Sequence, residues 1–440
     1  MYYVLLFLLY LCFSYLAWKN FNFVLSLVFL LLPTYRVQFE VFGFPFNFLS
    51  GIVWILILVF FIKNFRVIPN IFKNVKEKLR NKNNIFYSFR WPIIFILVSS
   101  YVAVFISSDY MKALGIFKSY FLESLFFFVI LVSSFKYKKD IKRSIYFLQI
   151  LVFFIFGLAI YQRFTGNLIF NTTDVLEQNR VTTFFGYPNA NGLILLPIFF
   201  LSFINLLSDK KIWLKMFNIL TLVLSFVVIY LAKSESAIVA IFAGLIIFVV
   251  FKIIKNKKFI LISSILIILL ALLFPFVVKP PKIIDLPDAY SYNLKQKILL
   301  QDLSGQIRRQ MYFETKNYLK DNVVFGAGLV GYQSEIINYH KFNYVETFLY
   351  PHSIFMNFWV SLGLFGLIGF LWLIVLFVLK LTKDLSKNNL ILLVTFLVII
   401  IQGIVEVPYF KNDLSIIWWF VFAIYLIYNK HDANLSIDNY

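Results

Sequence analysis

The residues best suited to chemistry fall into three short groups that lie between long apolar runs. Arg180 precedes a turn-forming run of Gly, Pro and Asn residues at 184–192, Arg308 is followed by Arg309, and His352 stands just before an apolar run. A planar guanidinium holds a phosphate through two parallel hydrogen bonds. Histidine titrates near neutral pH and can accept a proton. Together the three groups could bind a phosphate or pyrophosphate and exchange a proton near neutral pH.

Each group also has an ordinary structural explanation. Arg180 could be an interfacial arginine with its stem in apolar surroundings and its head in water. The arginines of the second group could pair with Asp302 or Glu314 on a solvated helix. His352 could be tolerated where the chain re-enters an apolar run. The chemistry therefore requires elements that bring the three groups together.

The elements that must position these groups are membrane helices. Of the 440 residues, 61% are hydrophobic and only 14% are charged, which is incompatible with an ordinary soluble domain. Backbone groups in hydrocarbon must be satisfied within the segment, and the apolar runs lack the period-2 alternation of strands. We therefore predict an all-α, polytopic transmembrane bundle of about 12–13 helices with one large extracytoplasmic loop.

The apolar runs fall near 2–18, 21–33, 47–63, 92–108, 115–135, 143–162, 189–207, 213–232, 236–253, 258–278, 353–379, 389–408 and 414–428. Only Lys19 and Asn20 separate the first two runs. These two could form one tilted helix, a hairpin, or a span plus a half-helix. The predicted number of helices is therefore 12 or 13.

Lys and Arg residues set the predicted orientation, because those near the ends of spans stay on the cytoplasmic side. They are concentrated at 63–90 and recur at alternate connections, namely 136–143, 210–215, 252–258 and 380–387. We interpret the net charge of +20 as this topology signal and not as a nucleic-acid footprint. We therefore predict three segments. Residues 1–278 form transmembrane helices with short loops, including a basic cytoplasmic segment at 63–90 and an outer loop at 163–188. Residues 279–352 form a large extracytoplasmic loop, and residues 353–440 form the C-terminal transmembrane helices and a short cytoplasmic tail.

An outer location restricts the reaction. ATP and nucleotide sugars are not supplied outside the cytoplasm, so an enzyme there must use a donor that arrives already activated, for example on a lipid carrier. The glycines of 326–331 match a dinucleotide fingerprint, but the required βαβ context is missing, and we interpret them as a tight turn. The single cysteine, Cys12, excludes an intrachain disulfide and a cysteine-based metal site.

In their order and spacing, the three groups resemble the O-antigen ligase and O-antigen polymerase superfamily of bacterial membrane glycosyltransferases. The matching residues are Arg180 with Gly186, Pro188 and Asn189; Arg308, Tyr312, Gly326 and Gly328; and His352, Ser353, Gly363, Gly366 and Gly369. The resemblance covers residues 180–380 best. Two departures stand out: Tyr312 replaces the usual tryptophan, and the run 233–236 (Lys-Ser-Glu-Ser) stands where many relatives have Ser-Arg.

The resemblance implies transfer or polymerisation of a glycan from an undecaprenyl-pyrophosphate carrier onto an acceptor hydroxyl, with inversion at the anomeric carbon and with neither cofactor nor metal. Arg180 and Arg308 would hold the pyrophosphate, and His352 would accept the proton of the acceptor. The other predicted substrate-binding residues are Arg309, Lys233, Tyr187, Asn189 and Tyr312.

The resemblance also implies a multi-pass protein of the bacterial inner membrane whose active face is extracytoplasmic. Its partners would be the lipid-linked glycan donor, a lipid, polysaccharide or protein acceptor, and membrane lipids, but no nucleic acid. The competing class is a flippase or transporter for lipid-linked oligosaccharides, which should show repeated halves and charges along a central path. A non-catalytic membrane scaffold is the third class. Convergence of Arg180, Arg308 and His352 within several ångströms would favour the enzyme.

Overall fold

The computed structural model describes residues 2–41, 43–65, 85–166, 180–282, 284, 300–342 and 344–435. Most of the predicted cytoplasmic segment 63–90, and parts of the predicted loops 163–188 and 279–352, lie outside these residues. The described chain is mainly helical and includes one short antiparallel pair of strands. The predicted all-α fold is confirmed.

The elements follow the apolar runs. In chain order the helices are α1 (Tyr2–Lys19), α2 (Phe21–Leu27), α3 (Phe48–Asn64), α4 (Ile85–Ile106), α5 (Tyr110–Ile116), α6 (Ser124–Ser134), α7 (Lys138–Thr165), α8 (Asn189–Ser208), α9 (Ile212–Leu231), α10 (Glu235–Ile254), α11 (Lys257–Val277), α12 (Leu303–Asp321), α13 (Tyr332–Ile336), α14 (Ile354–Lys383), α15 (Lys387–Gln402) and α16 (Asn412–Leu435). A π-helical segment, Phe117–Glu123, joins α5 to α6, and 3₁₀ turns span Leu32–Arg36 and Ile337–Tyr339. Strands β1 (Gln38–Val41) and β2 (Phe44–Asn47) pair from Gln38 opposite Asn47 to Val41 opposite Phe44.

Eight helices of the described chain are long and apolar enough to cross a membrane. They are Ser88–Ile106 within α4, the continuous segment Tyr110–Ser134, α7, α8, α9, α10, α11 and α14. Three more helices, α1, α3 and α15, are apolar but shorter. The second predicted run, 21–33, contains only the short α2 and the start of a 3₁₀ turn, so it is a half-helix beside α1. These elements make the protein a multi-pass helical bundle.

The spans alternate in direction and sort their connections to two ends of the bundle. At one end, here called the basic end, the basic connections meet, and Lys142 Nζ lies 2.9 Å from Asp209 Oδ1. At the other end, here called the loop end, lie Arg180, α12 and the segment 403–411 between α15 and α16. The three predicted groups therefore lie at the end opposite the basic connections.

Among the eight spans, α8 is the most enclosed, with 83% of its apolar window buried. It packs against α7, α9, α10 and α15. Close-packed interiors have low compressibility, so the neighbours of α8 hold it in a fixed position. Its first residue, Asn189, stands at the loop end and follows directly on the turn that carries Arg180.

A backbone-to-backbone contact joins α14 to the glycine turn. Gly326 and Gly328 adopt positive φ values of 65° and 76°, so the structure shows the turn that the sequence predicts. Gly363 interrupts α14 with a φ of 71°. A Cβ added at Gly363 would overlap the carbonyl oxygen of Val324. Only glycine permits both this backbone conformation and this close approach.

We expect Gly363→Ala to destabilise the protein by about 1–3 kcal/mol from the backbone conformation alone, because φ 71° with ψ −175° is essentially restricted to glycine, with a further cost from the overlap with Val324. The measurement is the melting temperature of the purified protein in detergent. Gly157→Ala is the matched control, because nothing lies within 4 Å of a Cβ added there. Equal melting temperatures for the two variants would contradict the packing described for the kink.

Candidate functional site

Helix α12 carries the second predicted group at the loop end. Asp302 caps its start by accepting a hydrogen bond from a backbone N–H of the first turn (3.2 Å). Arg308 and Tyr312 are four residues apart and therefore share one face of the helix. Tyr312 is fully buried, and its hydroxyl donates to the backbone oxygen of Ile404 (2.9 Å). This bond fastens α12 to the segment 403–411.

His352 stands just before α14, where it meets the same tyrosine. The Tyr312 hydroxyl is 3.2 Å from the backbone oxygen of His352. His352 has a φ of 47°, in the left-handed region that residues other than glycine rarely adopt. Its ring lies beside the rings of Tyr350 and Phe348, with centroids 5.0 and 5.6 Å apart. Its Nδ1 is buried and makes no hydrogen bond within the described residues.

Arg180 reaches the same place from the turn before α8. Its Nε donates to the backbone oxygen of Ala232 (2.9 Å), and its Nη2 donates to Asn189 Oδ1 (2.7 Å) and to the backbone oxygen of Lys233 (3.3 Å). Asn189 Nδ2 in turn donates to Glu406 Oε1 (2.7 Å). One amide side chain therefore links Arg180 to a carboxylate of the segment 403–411.

Buried polar groups hold the turn that carries Arg180. Gln162 Oε1 accepts hydrogen bonds from the backbone nitrogens of Thr182 (3.0 Å) and Thr183 (2.7 Å). Thr183 Oγ1 donates to Asn191 Oδ1 (2.6 Å). Since buried backbone donors must find partners, these contacts fix the path of the chain into α8. The Gly, Pro and Asn residues of the turn, singled out in the sequence, thus lie in a structured connection.

Glu406 lies at the centre of the site and is only 1% exposed. Its Oε1 accepts hydrogen bonds from Arg308 Nη2 (3.1 Å) and Asn189 Nδ2 (2.7 Å), and its Oε2 is 3.5 Å from His352 Nδ1. The latter distance exceeds that of a good hydrogen bond, so this contact is a close approach of the two groups and not a hydrogen bond. Arg180, Arg308 and His352 therefore meet around one carboxylate.

The cationic partners keep Glu406 ionised. Burial on its own raises the pKa of Glu406, but the contacts with His352, the positive charge of Arg308 and the hydrogen bond from Asn189 outweigh it, and the pKa lies below its ordinary value. Burial and the nearby charge of Glu406 raise the pKa of Tyr350 to about 12. The Tyr350 hydroxyl therefore stays protonated at neutral pH, and it cannot be the base of this site.

The other predicted binding residues occupy different positions. Tyr187 lies next to the site, and its ring centroid is 4.8 Å from Lys411 Nζ. The side chain of Lys233 is exposed, and only its backbone oxygen meets Arg180. Arg309 points elsewhere, because its Nε donates to the backbone oxygen of Lys279 (2.7 Å). Their assignment as substrate-binding residues stays a prediction.

Glu406 and Lys411 are not among the residues predicted from the sequence. Lys411 Nζ lies 2.6 Å from the Tyr35 hydroxyl, and burial, together with the positive charge of Arg36, lowers the pKa of Lys411 despite the opposing charge of Asp413. The sequence gives only a weak signal for these two residues. They are an acid and a base in a short connection between two apolar runs, on the side opposite the basic connections.

A second polar cluster ties the segment 340–348 to α12. His340 Nδ1 lies 3.1 Å from Glu314 Oε2, and its Nε2 lies 2.9 Å from the backbone oxygen of Val345. Glu314 Oε1 also accepts a hydrogen bond from the backbone nitrogen of Lys341 (3.0 Å). Because both ring nitrogens face acceptors, the doubly protonated ring satisfies this geometry best. The cluster holds the segment whose Phe348 touches His352.

Within the described residues, no group of three or more His, Cys, Asp or Glu side chains is arranged to hold a metal ion.

We expect the His340 cluster to make stability fall as the pH rises. Burial alone lowers the pKa of His340, but its bonds to Glu314 and Val345 and the charge of Glu314 raise it above its ordinary value of 6.5. The proton bound in the folded state therefore stabilises it fully below about pH 6.5, and this contribution is lost as the pH rises through the folded-state pKa. Melting temperatures across this window should fall less in His340→Gln than in the unaltered protein. Parallel curves would contradict the assignment.

Comparison with known proteins gives one match within the region described above. Residues 220–371 match the family model described as O-antigen ligase. This range contains Arg308 and His352, while Arg180 and Glu406 lie on either side of it. No curated protein matches the sequence. The match covers residues 220–371 of the 440, and it supports the similarity of this chain to the O-antigen ligase superfamily that the sequence motifs indicate.

Proposed function

We propose that the protein transfers or polymerises a glycan, carried on undecaprenyl pyrophosphate, onto an acceptor hydroxyl at the extracytoplasmic face of the bacterial inner membrane. The observation that carries the proposal is the meeting of Arg180, Arg308 and His352 around Glu406, within one chain of contacts of 2.7 to 3.5 Å. A random scatter of these residues would have left only their ordinary structural roles.

Arg308 has spare capacity to bind an anion. Its Nη2 is engaged by Glu406 and its Nη1 by Ser304 Oγ (3.3 Å). Its Nε is buried and has no hydrogen-bond partner among the described residues. An unpaired buried donor costs free energy unless an acceptor arrives. A phosphate oxygen of the carrier supplies such an acceptor, and the positive charge stabilises the pyrophosphate as it leaves.

Arg180 acts beside Arg308 in this proposal. Two backbone oxygens, of Ala232 and Lys233, and the amide oxygen of Asn189 hold its guanidinium in place. Two guanidinium groups would then face a ligand that carries several negative charges. Pyrophosphate is already a good leaving group, so charge stabilisation is the main catalytic requirement.

His352 is the proposed base. The acceptor oxygen attacks the anomeric carbon from the side opposite the pyrophosphate, the bond from that carbon to the phosphate oxygen breaks, and the configuration inverts. The proton of the acceptor hydroxyl passes to His352 Nε2, and the carrier leaves as undecaprenyl pyrophosphate. Such proton transfer commonly accelerates a reaction about 100-fold to 10,000-fold.

We expect His352→Ala to reduce transfer by about 100-fold or more, and Arg308→Ala by a similar factor through loss of charge stabilisation. Arg308→Lys should not restore the rate, because an ammonium cannot make the paired hydrogen bonds of a guanidinium. Arg163→Ala is the matched control, since this arginine is exposed at the end of α7. The measurement is transfer from a lipid-pyrophosphate oligosaccharide to a panel of acceptors, in nanodiscs and with EDTA present.

Two results would remove the proposal. One is near-normal transfer by the His352 and Arg308 variants. The other is movement of intact donor across reconstituted vesicles without any acceptor reacting, which would favour the transporter class. Product that resists EDTA and disappears in both variants, but not in the Arg163 control, would support a glycan transferase and identify its acceptor.

A further inference from the structure

Glu406 has no part in the steps above, yet every group in them contacts it directly or through Asn189. The segment that carries it is held on two sides. Ile404, two residues earlier, accepts the Tyr312 hydroxyl of α12 (2.9 Å). Gly403 accepts a hydrogen bond from the backbone nitrogen of Ile354, the first residue of α14 (2.8 Å). Glu406 is therefore positioned by the same two helices that position Arg308 and His352.

The carboxylate occupies a place that a phosphate would use. The Nε and Nη2 groups of Arg308 lie on one edge of the guanidinium and form a two-pronged donor face. Glu406 Oε1 takes the Nη2 prong at 3.1 Å, whereas the Nε prong is buried and unpartnered among the described residues. A phosphate that bonds to both Nε and Nη2 therefore competes with Glu406 for Nη2, which carries two N–H groups.

Displacement would change the partner of the carboxylate. Glu406 Oε2 already lies 3.5 Å from His352 Nδ1, and Asn189 is neutral. Once Arg308 turns to the phosphate, the Nδ1–H of His352 is the nearest donor that can approach the buried carboxylate. A carboxylate at Nδ1 fixes the proton on that nitrogen, leaves Nε2 as the free base and stabilises the imidazolium formed when Nε2 takes a proton.

We propose that Glu406 is a positioning residue that couples donor binding to proton transfer. In the empty site it neutralises Arg308. When the donor pyrophosphate takes the guanidinium, Glu406 pairs with His352 and prepares it to accept the proton of the acceptor. This inference rests on the proposed function. It assigns to that site an order of events in which the base becomes competent only after the donor is bound.

The groups that face this pair come from several elements. They are Arg308 and Tyr312 of α12, Arg180 acting through Asn189, Tyr187 of the turn before α8, and Tyr350 beside His352. The tyrosines have raised pKa values and stay neutral near pH 7.

Glu406→Gln tests the coupling, because glutamine keeps the shape and can still accept from Asn189 but carries no charge. Two effects of opposite sign are expected in the full-length protein in nanodiscs. Farnesyl pyrophosphate, used as a binding probe, should bind several-fold more tightly because a neutral amide competes for Arg308 less strongly than a carboxylate. The value of kcat should fall on the order of 100-fold, within the range of general base catalysis, because His352 loses its charged partner.

The pH profile provides a third readout. Without the carboxylate the imidazolium of His352 is less stabilised, so the acid limb of kcat should move to lower pH in Glu406→Gln. Glu406→Asp, which keeps the charge, should recover part of the lost kcat and leave the limb closer to that of the unaltered protein. Glu335→Gln, an exposed acid of α13 at the same end, is the matched control and should change none of these quantities.

Weaker probe binding together with a lower kcat and an unmoved acid limb would overturn the inference, since a merely structural role predicts that pattern. Unchanged kcat in Glu406→Gln would also overturn it. These outcomes leave the proposed function intact provided that the unaltered protein transfers glycan through Arg308 and His352. If the unaltered protein transfers nothing, the proposed function fails, and tighter or weaker probe binding by the variant still decides whether Glu406 competes for Arg308.

Discussion

The loop end of this protein is organised around one buried negative charge. A carboxylate that is 1% exposed costs several kcal/mol to desolvate unless charges and hydrogen bonds compensate it. Glu406 obtains that compensation from three separate segments: the turn before α8, helix α12 and the entry to α14. Loss of any one partner removes a charge or a hydrogen bond that compensates the carboxylate, so the geometry of the site depends on how all three segments pack.

Much of this fold follows from local properties of the sequence. Apolar length predicts the spans, and Lys and Arg at alternate connections sort the two ends. The arginine and histidine groups are visible because these residue types are rare within apolar stretches. Glu406 is not visible in this way, because its contacts are with residues 98 and 217 positions away. Only the packing of α15 and α16 against the rest of the bundle brings it to them.

The sequence also does not predict which of two adjacent side chains faces the site. Arg308 and Arg309 are adjacent and chemically alike, and either could have faced the site. On a helix, consecutive side chains point about 100° apart, so the buried face decides between them. Tyr312 is fully buried, and it carries Arg308 with it toward Glu406, while Arg309 turns to Lys279. The helix is predictable from its pattern, but its rotation depends on contacts with elements far along the chain.

The left-handed backbone at His352 has a consequence for evolution of the protein in the laboratory. Such a conformation costs a non-glycine residue about 1–3 kcal/mol, and glycine or asparagine would adopt it more easily. Selection for thermal robustness alone would therefore favour replacing the very residue proposed as the base. Variants selected for thermal stability without an activity requirement are therefore expected to lose catalytic residues such as His352. A screen for a more stable protein should measure turnover as a second criterion.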